Sequence, residues 1–288
     1  MDINSYNENG SQEIICEVCP KHCALSKGQV GFCKARKWHD GNVISKNYGR
    51  ITSMALDPIE KKPLYHFHPG SMILSVGSYG CNMNCFYCQN HEISQKDESV
   101  GYTHFMPEEL VAEALKYSEQ GSIGIAFTYN EPAIGWEFVR DTATLANLKG
   151  LLNVMVTNGC FCEDGLHRLL PAIDAFNIDL KCFTEDGYKA LGGDFSAVKN
   201  TIEIASAVKH VEISTLIVPG QNDDEDQMES QSAWLASLSP DIPLHIARYF
   251  PRWKAEMPQT SEDVMRRLEK VAKRHLKNVH LGNIRHKS

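Results

Sequence analysis

The chain has 288 residues, of which 42% are hydrophobic and 23% are charged, so it is long enough to bury a sizeable core and is predicted to be globular. Its formal net charge of −7 argues against a general nucleic-acid-binding surface. No apolar run approaches the roughly 18 residues of a membrane span, and the polar N-terminus lacks the apolar core of a signal peptide. We therefore expect a cytoplasmic protein that does not enter the membrane and whose ten cysteines stay reduced.

The first predicted unit, residues 1–70, is an N-terminal extension with four cysteines. Cys16, Cys19, Cys23 and Cys33 follow the pattern CxxCPxxC, with nine residues before the last cysteine. Four thiolates make a closed ligand set, which satisfies zinc tetrahedrally and also suits a second iron–sulfur cluster. A third interpretation keeps them as reduced thiols that pack the extension or face a substrate. The spacing alone does not choose among the three.

The second predicted unit, residues 71–288, alternates short β-rich runs with helical stretches. Buried strands are predicted at Ile73–Gly77, Ile123–Tyr129, Asn153–Thr157, Ala175–Leu180, Val211–Val218 and Leu244–Arg248, with a short last run at Val279–Leu281. Helices are predicted near Pro107–Gln120, Ala133–Leu148, Glu163–Leu170, Glu185–Val208, Asp224–Ser237 and Ser261–Leu276. The alternation implies a parallel sheet with right-handed crossovers, and six units favour a partial (β/α)6 TIM-type barrel of the α/β class.

A CxxxCxxC loop follows the first of these strands and contains Cys81, Cys85 and Cys88. A cubane iron–sulfur cluster needs four ligands, so three close cysteines leave one iron open for a reacting ligand. The alternative is a zinc knuckle or a buried cysteine cluster, which would have to account for a loop rich in asparagine and glycine in place of two paired CxxC knuckles. The three cysteines are therefore predicted to ligate a [4Fe–4S] cluster.

This loop, with the aromatic Tyr87 just before its third cysteine, resembles the radical S-adenosylmethionine (SAM) superfamily. In that superfamily the free iron chelates the amino and carboxylate groups of SAM. The resemblance implies that flavodoxin or ferredoxin donates an electron through the cluster to SAM. It also implies cleavage of SAM to methionine and a 5′-deoxyadenosyl radical, which abstracts hydrogen from a substrate.

Polar motifs follow the predicted strands, at the edge where parallel barrels build their active sites. Asn130-Glu131-Pro132 resembles the family's Gly-Gly-Glu-Pro motif, which holds the SAM amino group, although Tyr129 and Asn130 stand where the family has glycines. Glu131 is a suitable acceptor for a cationic amine. Its alternative role is an N-cap carboxylate for the next helix.

Asp179-Leu180-Lys181 resembles the DxK element of the activating enzymes for glycyl radical enzymes. Alternation along a strand puts the two charged side chains on the same side. The resemblance implies that Lys181 pairs with the SAM carboxylate and that Asp179 holds a hydroxyl or amine. The alternative is an ordinary ion pair at a strand end, which is common and weak.

Two further motifs complete the predicted mouth. Thr157-Asn158-Gly159 resembles the tail of the DTNG motif of the same activating enzymes, but Val156 replaces the aspartate, so no monovalent cation is predicted. Thr157 and Asn158 are predicted to touch SAM, with a simple strand-end turn as the alternative. His245 matches the family's late active-site histidine best and is predicted to be catalytic; its alternative role is a satisfied core histidine.

The remaining cysteines and two histidines receive structural interpretations. Cys160, Cys162 and Cys182 lie near the predicted mouth, where they could contact substrate or donate hydrogen, but buried inert thiols are favoured because free cysteine packs as a small apolar residue. His66 and His68 alternate on one strand face, and no partner at metal-ligand spacing is visible in the sequence, so both are predicted to be structural.

A larger resemblance covers residues 14 to 284. The segment 16–36, the run from Asp57 to Phe67 and Cys88-Gln89-Asn90 together resemble the Memo-associated (AmmeMemoRadiSam) radical SAM family, often labelled as homologues of pyruvate formate-lyase activating enzyme. This implies an oxidoreductase that activates a glycyl radical enzyme. Two alternatives stay open: a radical SAM enzyme that modifies a small metabolite or a protein side chain, and a non-catalytic iron–sulfur protein for electron transfer.

Overall fold

The computed structural model describes residues 4–6 and 12–284. The helices are α1 (His91–Ser94), α2 (Pro107–Leu115), α3 (Trp136–Leu148), α4 (Glu163–Leu169), α5 (Glu185–Ala190), α6 (Phe195–Val208), α7 (Glu225–Leu238) and α8 (Glu262–Ala272). Short 3₁₀ helices span Ile59–Lys61, Ser118–Gln120 and Pro132–Gly135. None of the helices in these ranges is long and apolar enough to span a lipid bilayer.

The strands begin in the extension and continue through the barrel. They are β1 (Asn4–Tyr6), β2 (Gln12–Ile15), β3 (Ala24–Leu25), β4 (Arg36–His39), β5 (Asn42–Ser45), β6 (Arg50–Ile51), β7 (Ser53–Pro58), β8 (Met72–Gly77), β9 (Thr103–His104), β10 (Ser122–Phe127), β11 (Leu152–Thr157), β12 (Ala175–Asp179), β13 (His210–Ile217), β14 (Leu244–Arg248) and β15 (Val279–Gly282). The barrel strands are runs of five to eight mainly apolar residues, nearly all of which are buried, as suits strands that are covered on both faces.

The main sheet of the described chain has eight strands in the order β7, β8, β10, β11, β12, β13, β14, β15. Every neighbouring pair is parallel except β7 and β8, which pair antiparallel. The parallel strands follow one another in chain order with helices between them, which confirms the predicted partial TIM-type barrel. The short last run adds the seventh parallel strand, and β7 comes from residues that the sequence analysis assigns to the extension.

Alternate residues of the parallel strands face two different layers. Residues such as Leu74, Ile125 and Phe176 pack with the helices in the large core. Their neighbours in the strands point to the other side, because successive strand side chains alternate. There Ile73, Ala126, Val154 and Ala175 pack against Ile59 and Leu64, in a smaller separate core. The segment 59–67 therefore packs on the inner face of the barrel.

One predicted helix is divided in two. The stretch from Glu185 to Val208 was predicted as a single helix, but α5 ends at Ala190 and α6 begins at Phe195. Gly192 has a φ of +71°, a left-handed conformation that glycine adopts without strain and that ends a helix. Asp194 then caps α6, since its side chain accepts a hydrogen bond from the backbone N–H of Ala197 at 2.8 Å.

Candidate functional site

The carboxyl ends of the parallel strands bring the predicted motifs to one rim of the barrel. The cysteine loop follows β8, Glu131 follows β10, Thr157 is the last residue of β11 and Asp179 is the last residue of β12. Parallel strands all end at the same edge, which is where TIM-type barrels carry their active-site loops. The four motifs, which the sequence separates by up to a hundred residues, are thus neighbours in space.

The segment after β10 holds the base of the cysteine loop. The side-chain Oδ1 of Asn130 accepts a hydrogen bond from the backbone N–H of Ser78 at 2.9 Å, and its Nδ2 donates to the carbonyls of Tyr79 and Gly80, each at 3.2 Å. In return, Asn90 donates to the carbonyl of Tyr129 at 2.8 Å. Asn130, which was predicted to touch SAM, is therefore engaged with the backbone that carries the cysteines.

Tyr129 keeps the backbone conformation that a glycine would favour. Its φ is +70°, in the left-handed region that non-glycine residues rarely occupy. The side chain is fixed at its far end, because its hydroxyl donates to Asp57 Oδ2 at 2.9 Å and its ring lies 4.8 Å from Lys62 Nζ. The replacement of the family's glycine by tyrosine thus leaves the chain path of the motif in place.

Glu131 is a fully enclosed carboxylate, with only 2% of the residue exposed. It accepts three hydrogen bonds: from the N–H of Ala133 at 3.0 Å, the hydroxyl of Thr157 at 2.6 Å and the N–H of Asn158 at 2.8 Å. The first of these caps the 3₁₀ helix that starts at Pro132, so the N-cap alternative describes part of its role. A carboxylate has about four acceptor positions, which leaves one for a further donor.

Burial raises the pKa of Glu131 to about 7, because the three neutral donors do not fully compensate for the loss of water and the charge of Asp179 adds to the rise. The carboxylate lies near a thiol of the cysteine loop, since its charge raises the pKa of Cys81 in addition to the larger effect of burial. Asn158 lies between the two groups, with its Nδ2 3.7 Å from Cys81 Sγ. The site therefore has a buried acceptor for a cation beside its first cysteine.

Asp179 and Lys181 form an ion pair at the end of β12, with Lys181 Nζ 2.7 Å from Asp179 Oδ2. The lysine side chain is 16% exposed and the aspartate side chain 35%, so the pair is partly shielded from water. Burial alone would lower the pKa of Lys181, but the charges of Asp179 and of the Cys85 thiolate raise it above its usual value. Lys181 in turn opposes the rise that burial causes in the pKa of Cys85.

The three thiols of the loop are half-buried and free. Burial raises the pKa of Cys85 to about 11, while Cys81 Sγ receives the backbone N–H of Met83 at 3.4 Å and Cys88 Sγ lies 3.1 Å from Ser94 Oγ. Tyr87 is 5% exposed between them, and its hydroxyl has no hydrogen-bond partner among the described residues. Two of the three sulfur atoms thus have a polar contact within the loop and the helix that follows it.

Residues 75–230 match the Radical SAM superfamily. The chain belongs to the radical SAM superfamily. The match spans more than half of the chain, from the middle of β8 to the first turns of α7, and contains every motif that the structure gathers at the rim. The radical SAM assignment made from the CxxxCxxC loop is therefore confirmed.

Known proteins with similar sequences differ in how much they share with this chain. Uncharacterized protein MJ0808 of Methanocaldococcus jannaschii is 35% identical over 284 residues, which cover 97% of this chain and 84% of that protein. Putative glycyl-radical enzyme activating enzyme MJ1632 of the same organism is 27% identical, with 72% of this chain and 79% of that protein covered. GTP 3′,8-cyclase of Clostridium botulinum is 31% identical over 153 residues, about half of each chain.

Solved structures of radical SAM enzymes share the fold at low identity. Streptococcus suis SuiB bound to S-adenosylmethionine superposes with a TM-score of 0.58 at 12% identity, covering 73% of this chain and 52% of SuiB. A radical SAM methyltransferase from Sphaerobacter thermophilus gives a TM-score of 0.56 at 14% identity, covering 96% and 75% of the two chains. These similarities support the partial TIM-type barrel and carry no further assignment.

Radical SAM enzymes use a [4Fe–4S] cluster and SAM, and the residues at the rim fit both cofactors. Thiolates are the ligands that iron–sulfur clusters take, and the donors beside Cys81 and Cys88 stabilise such thiolates. The spare acceptor position of Glu131 suits an ammonium group, and Lys181 suits a carboxylate. In residues 4–6 and 12–284, no three histidine, cysteine, aspartate or glutamate side chains are arranged as a site for a single metal ion.

The predicted catalytic residue His245 lies on the inner face of the barrel. It is the second residue of β14 and pairs in register with Ser214, which pairs with Asp179, so His245 stands two strands away from the ion pair. Its Nε2 lies 2.6 Å from Glu212 Oε2. The described contact of this imidazole is therefore with Glu212, and the catalytic role of His245 stays a prediction.

Glu212 lies at the centre of a hydrogen-bonded group that was not predicted from the sequence. This carboxylate also accepts the backbone N–H groups of Tyr65 and His66 at 3.0 and 2.8 Å, and it lies 2.9 Å from His210 Nε2. His66, predicted to be structural, has its Nε2 2.8 Å from His280 Nε2. These partners come from distant parts of the chain, so no local pattern announces them.

The other cysteines of the barrel lie behind the rim. Cys160 and Cys182 are buried and Cys162 is half-buried. Cys160 Sγ receives the backbone N–H of Asp194 at 3.3 Å, and burial raises its pKa to about 12. These contacts agree with the favoured interpretation of the three residues as packed thiols.

Proposed function

We propose that the chain binds the [4Fe–4S] cluster through Cys81, Cys85 and Cys88 and that it binds SAM with Glu131 and Lys181. The observation that carries this proposal is the position of two opposite charges beside the three thiols. The Glu131 carboxylate accepts the backbone N–H of Asn158, whose Nδ2 lies 3.7 Å from Cys81 Sγ, and the charge of Lys181 counteracts the rise that burial causes in the pKa of Cys85. An amino acid has one cationic and one anionic end, so a carboxylate and an ammonium on either side of the cluster loop are complementary to it.

The surrounding residues position these two charges. Thr157 and Asn158 hold the Glu131 carboxylate through its two oxygens, and Asp179 holds Lys181. Asn130 and Tyr129 fix the backbone on which the loop rests. When bound, the cluster and SAM supply a 5′-deoxyadenosyl radical that removes a hydrogen atom from the substrate. The chain contributes orientation and the exclusion of water around the reacting groups.

A glycyl radical enzyme is the substrate that we propose. The Asp179–Lys181 pair matches the element found in activating enzymes, and the similarity to putative activating enzyme MJ1632 extends over 72% of this chain. Flavodoxin or ferredoxin is the proposed electron donor. A small-molecule substrate is the second candidate, because the similarity to GTP 3′,8-cyclase is 31% over half of the chain.

Anaerobic reconstitution, followed by dithionite and SAM, tests the proposed chemistry. We expect 5′-deoxyadenosine as a product and a change in the electron paramagnetic resonance spectrum of the reduced cluster when SAM is added. Cys182→Ala serves as a control, because it removes a buried thiol outside the cluster loop. A fully loaded cluster that gives no 5′-deoxyadenosine and does not respond to SAM would instead support an electron-transfer protein.

The substrate is tested separately. The reconstituted protein is mixed with a glycyl radical enzyme encoded in the same genome, and a glycyl radical signal is the expected result. A mixture that consumes SAM without this signal, while a small-molecule extract stimulates 5′-deoxyadenosine formation, would favour the second candidate.

A further inference from the structure

The four cysteines of the extension line one cavity. Cys16, Cys19, Cys23 and Cys33 surround it together with Lys21 and Arg36. Three of the four residues are buried and Cys23 is half-buried, and all four thiols are free. The sequence spreads them over 18 positions, so the fold of the extension has collected every cysteine that precedes the barrel at one place.

A buried positive charge faces this cavity. Arg36 is 4% exposed and lines the same cavity as Cys16. Glu137 lies 2.7 Å from one end of the guanidinium, while Nε has no hydrogen-bond partner among the described residues. A buried arginine with an unused donor indicates an anionic neighbour, and four thiolates around a divalent or cluster cation carry net negative charge.

Backbone N–H groups also fix the positions of these cysteines. The N–H of Cys16 donates to the carbonyl of Cys23 at 3.0 Å, and the N–H of His22 donates to the carbonyl of Cys19 at 3.1 Å. The first bond joins two of the four cysteines directly, and the second closes the turn between Cys19 and Cys23. A backbone that is held in this way presents its ligands to a metal with little further ordering.

The cysteine-bearing segment 13–36 has little other core. Half of the apolar residues that are buried between positions 13 and 36 are cysteines, namely three of Ile14, Cys16, Cys19, Leu25, Cys33 and Ala35. Around the cavity, Cys33 and Ala35 form a separate small cluster with Ile134. A segment with so few apolar contacts needs a covalent or metal cross-link to hold one structure.

From the cavity, the buried arginine and the N–H groups, we propose that Cys16, Cys19, Cys23 and Cys33 form a second metal centre. Four thiolates hold a thiophilic metal there, either zinc or an iron–sulfur cluster. Among the described residues no three such ligands converge on a single ion, which at this site favours the iron–sulfur cluster over zinc. This centre goes beyond the proposed function, which does not depend on it.

The second centre adjoins the cluster loop. Gly80 has a φ of +89°, and a Cβ at this position would lie 2.3 Å from the carbonyl oxygen of Cys33, so the two segments are in close contact. Asn82, two residues after Gly80, faces Cys19, and its Oδ1 accepts a hydrogen bond from Asn158 Nδ2 at 2.9 Å. The second centre therefore braces the backbone that presents Cys81 and connects to the proposed SAM pocket through two asparagines.

Metal analysis of the full-length Cys81→Ala/Cys85→Ala/Cys88→Ala variant tests this proposal, because that variant keeps only the extension thiols as a cysteine set. After anaerobic reconstitution with iron, sulfide and zinc, we expect about one zinc or about four irons per chain. Circular dichroism confirms that the variant is folded. Adding Cys23→Ser, the least buried of the four, is expected to remove most of this metal, whereas adding Cys182→Ser, at a buried thiol beside Thr184 in the barrel, is expected to retain it.

A folded triple variant that binds no stoichiometric metal would overturn the proposal, as would metal that remains in full after Cys23→Ser is added. Zinc and iron are distinguished by their content and by the sulfide that accompanies only the cluster. The readout is metal stoichiometry, so it stays informative whether or not the wild-type protein cleaves SAM. Failure of SAM cleavage by the wild type would count against the proposed function alone.

Discussion

Glu131 and Glu212 are both almost completely buried, yet their surroundings change their pKa in opposite directions. Burial raises the pKa of Glu131 to about 7, because its donors are neutral and Asp179 adds a like charge. Burial acts in the same direction on Glu212, but His210, His245 and two backbone N–H groups overcome it and lower the pKa to about 2. Glu131 thus lacks the two imidazole partners that Glu212 has in His210 and His245.

This difference separates a binding site from a structural one. A buried carboxylate with a strongly raised pKa in a cleft is typical of functional sites, while a saturated one stabilises the fold. Glu131 faces the cysteine loop with one acceptor position spare. Glu212 connects β13 and β14 to the segment that packs inside the barrel. Variants of the two glutamates and their neighbours should therefore affect different measurements.

The largest effect is expected from the cluster loop beside Glu131. Cys85→Ala removes one of three proposed iron ligands, and two thiolates do not hold a cubane in place. We expect the iron that depends on the loop to be lost and 5′-deoxyadenosine formation to fall to background, as measured by metal analysis and chromatography. Cys182→Ala, a buried thiol that makes only a weak contact with Thr184, should retain both. Equal activity of Cys85→Ala and wild type would contradict the ligand assignment.

Glu212→Gln is expected to have the next largest effect, on stability. The pKa of Glu212 falls from its ordinary value of 4.5 to about 2, which corresponds to about 3 kcal/mol at about 1.4 kcal/mol per pKa unit. Because the pKa is lower in the folded protein, this stabilisation is present above about pH 4.5 and is lost as the pH falls toward 2. Urea unfolding from pH 7 to pH 3 measures it.

The control for this pH dependence is the difference in the free energy of unfolding between Glu212→Gln and wild type. It should be constant near neutrality and shrink below about pH 4.5, while SAM binding at pH 7.5 changes less than about twofold for any variant that remains folded. A Glu212 variant of unchanged stability would show that the carboxylate does not hold the segment 59–67.

Glu131→Gln is expected to act on SAM. The amide keeps the shape of the side chain but cannot attract an ammonium group, and a hydrogen bond to a charged group contributes about 2 kcal/mol, or about a 30-fold change in affinity. Equilibrium binding of SAM to the reconstituted protein measures this. The unfolding free energy should change less than for Glu212→Gln, which is the matched control. A Glu131 variant that binds SAM normally would remove this residue from the proposed pocket.

The sequence predicted the rim of the barrel better than its interior. The Glu131 motif and the Asp179–Lys181 motif each lie at the end of an apolar run that is predicted as a strand, so the topology alone brings them to one edge. Within the second motif, Asp179 and Lys181 stand two residues apart. The conformation of Tyr129 was not predictable, because only the fold shows that a tyrosine occupies the left-handed region there. The break after α5 did have a local signal, namely two glycines followed by an aspartate.

The cluster around Glu212 could not be predicted, for a physical reason. Its carboxylate binds the backbone of Tyr65, 147 positions earlier, and backbone donors have no sequence signature. Whether a histidine on an inner strand face points to substrate or to a buried glutamate depends on what fills the barrel. The sequence could therefore place His245 in the strand Leu244–Arg248 without deciding its partner.

The smallest effect is expected from His245→Asn, which tests that partner. The substitution removes one of four donors to Glu212 and shortens the side chain, so we expect a loss of about 1 to 2 kcal/mol in the free energy of unfolding. SAM binding and SAM-dependent 5′-deoxyadenosine formation should stay within about twofold of wild type, because Glu131 and Lys181 are untouched. His210→Asn, which removes the other imidazole from Glu212, should behave in the same way. If His245→Asn instead blocks product formation with stability unchanged, while His210→Asn does not, His245 acts on the substrate and the interior of the barrel belongs to the active site.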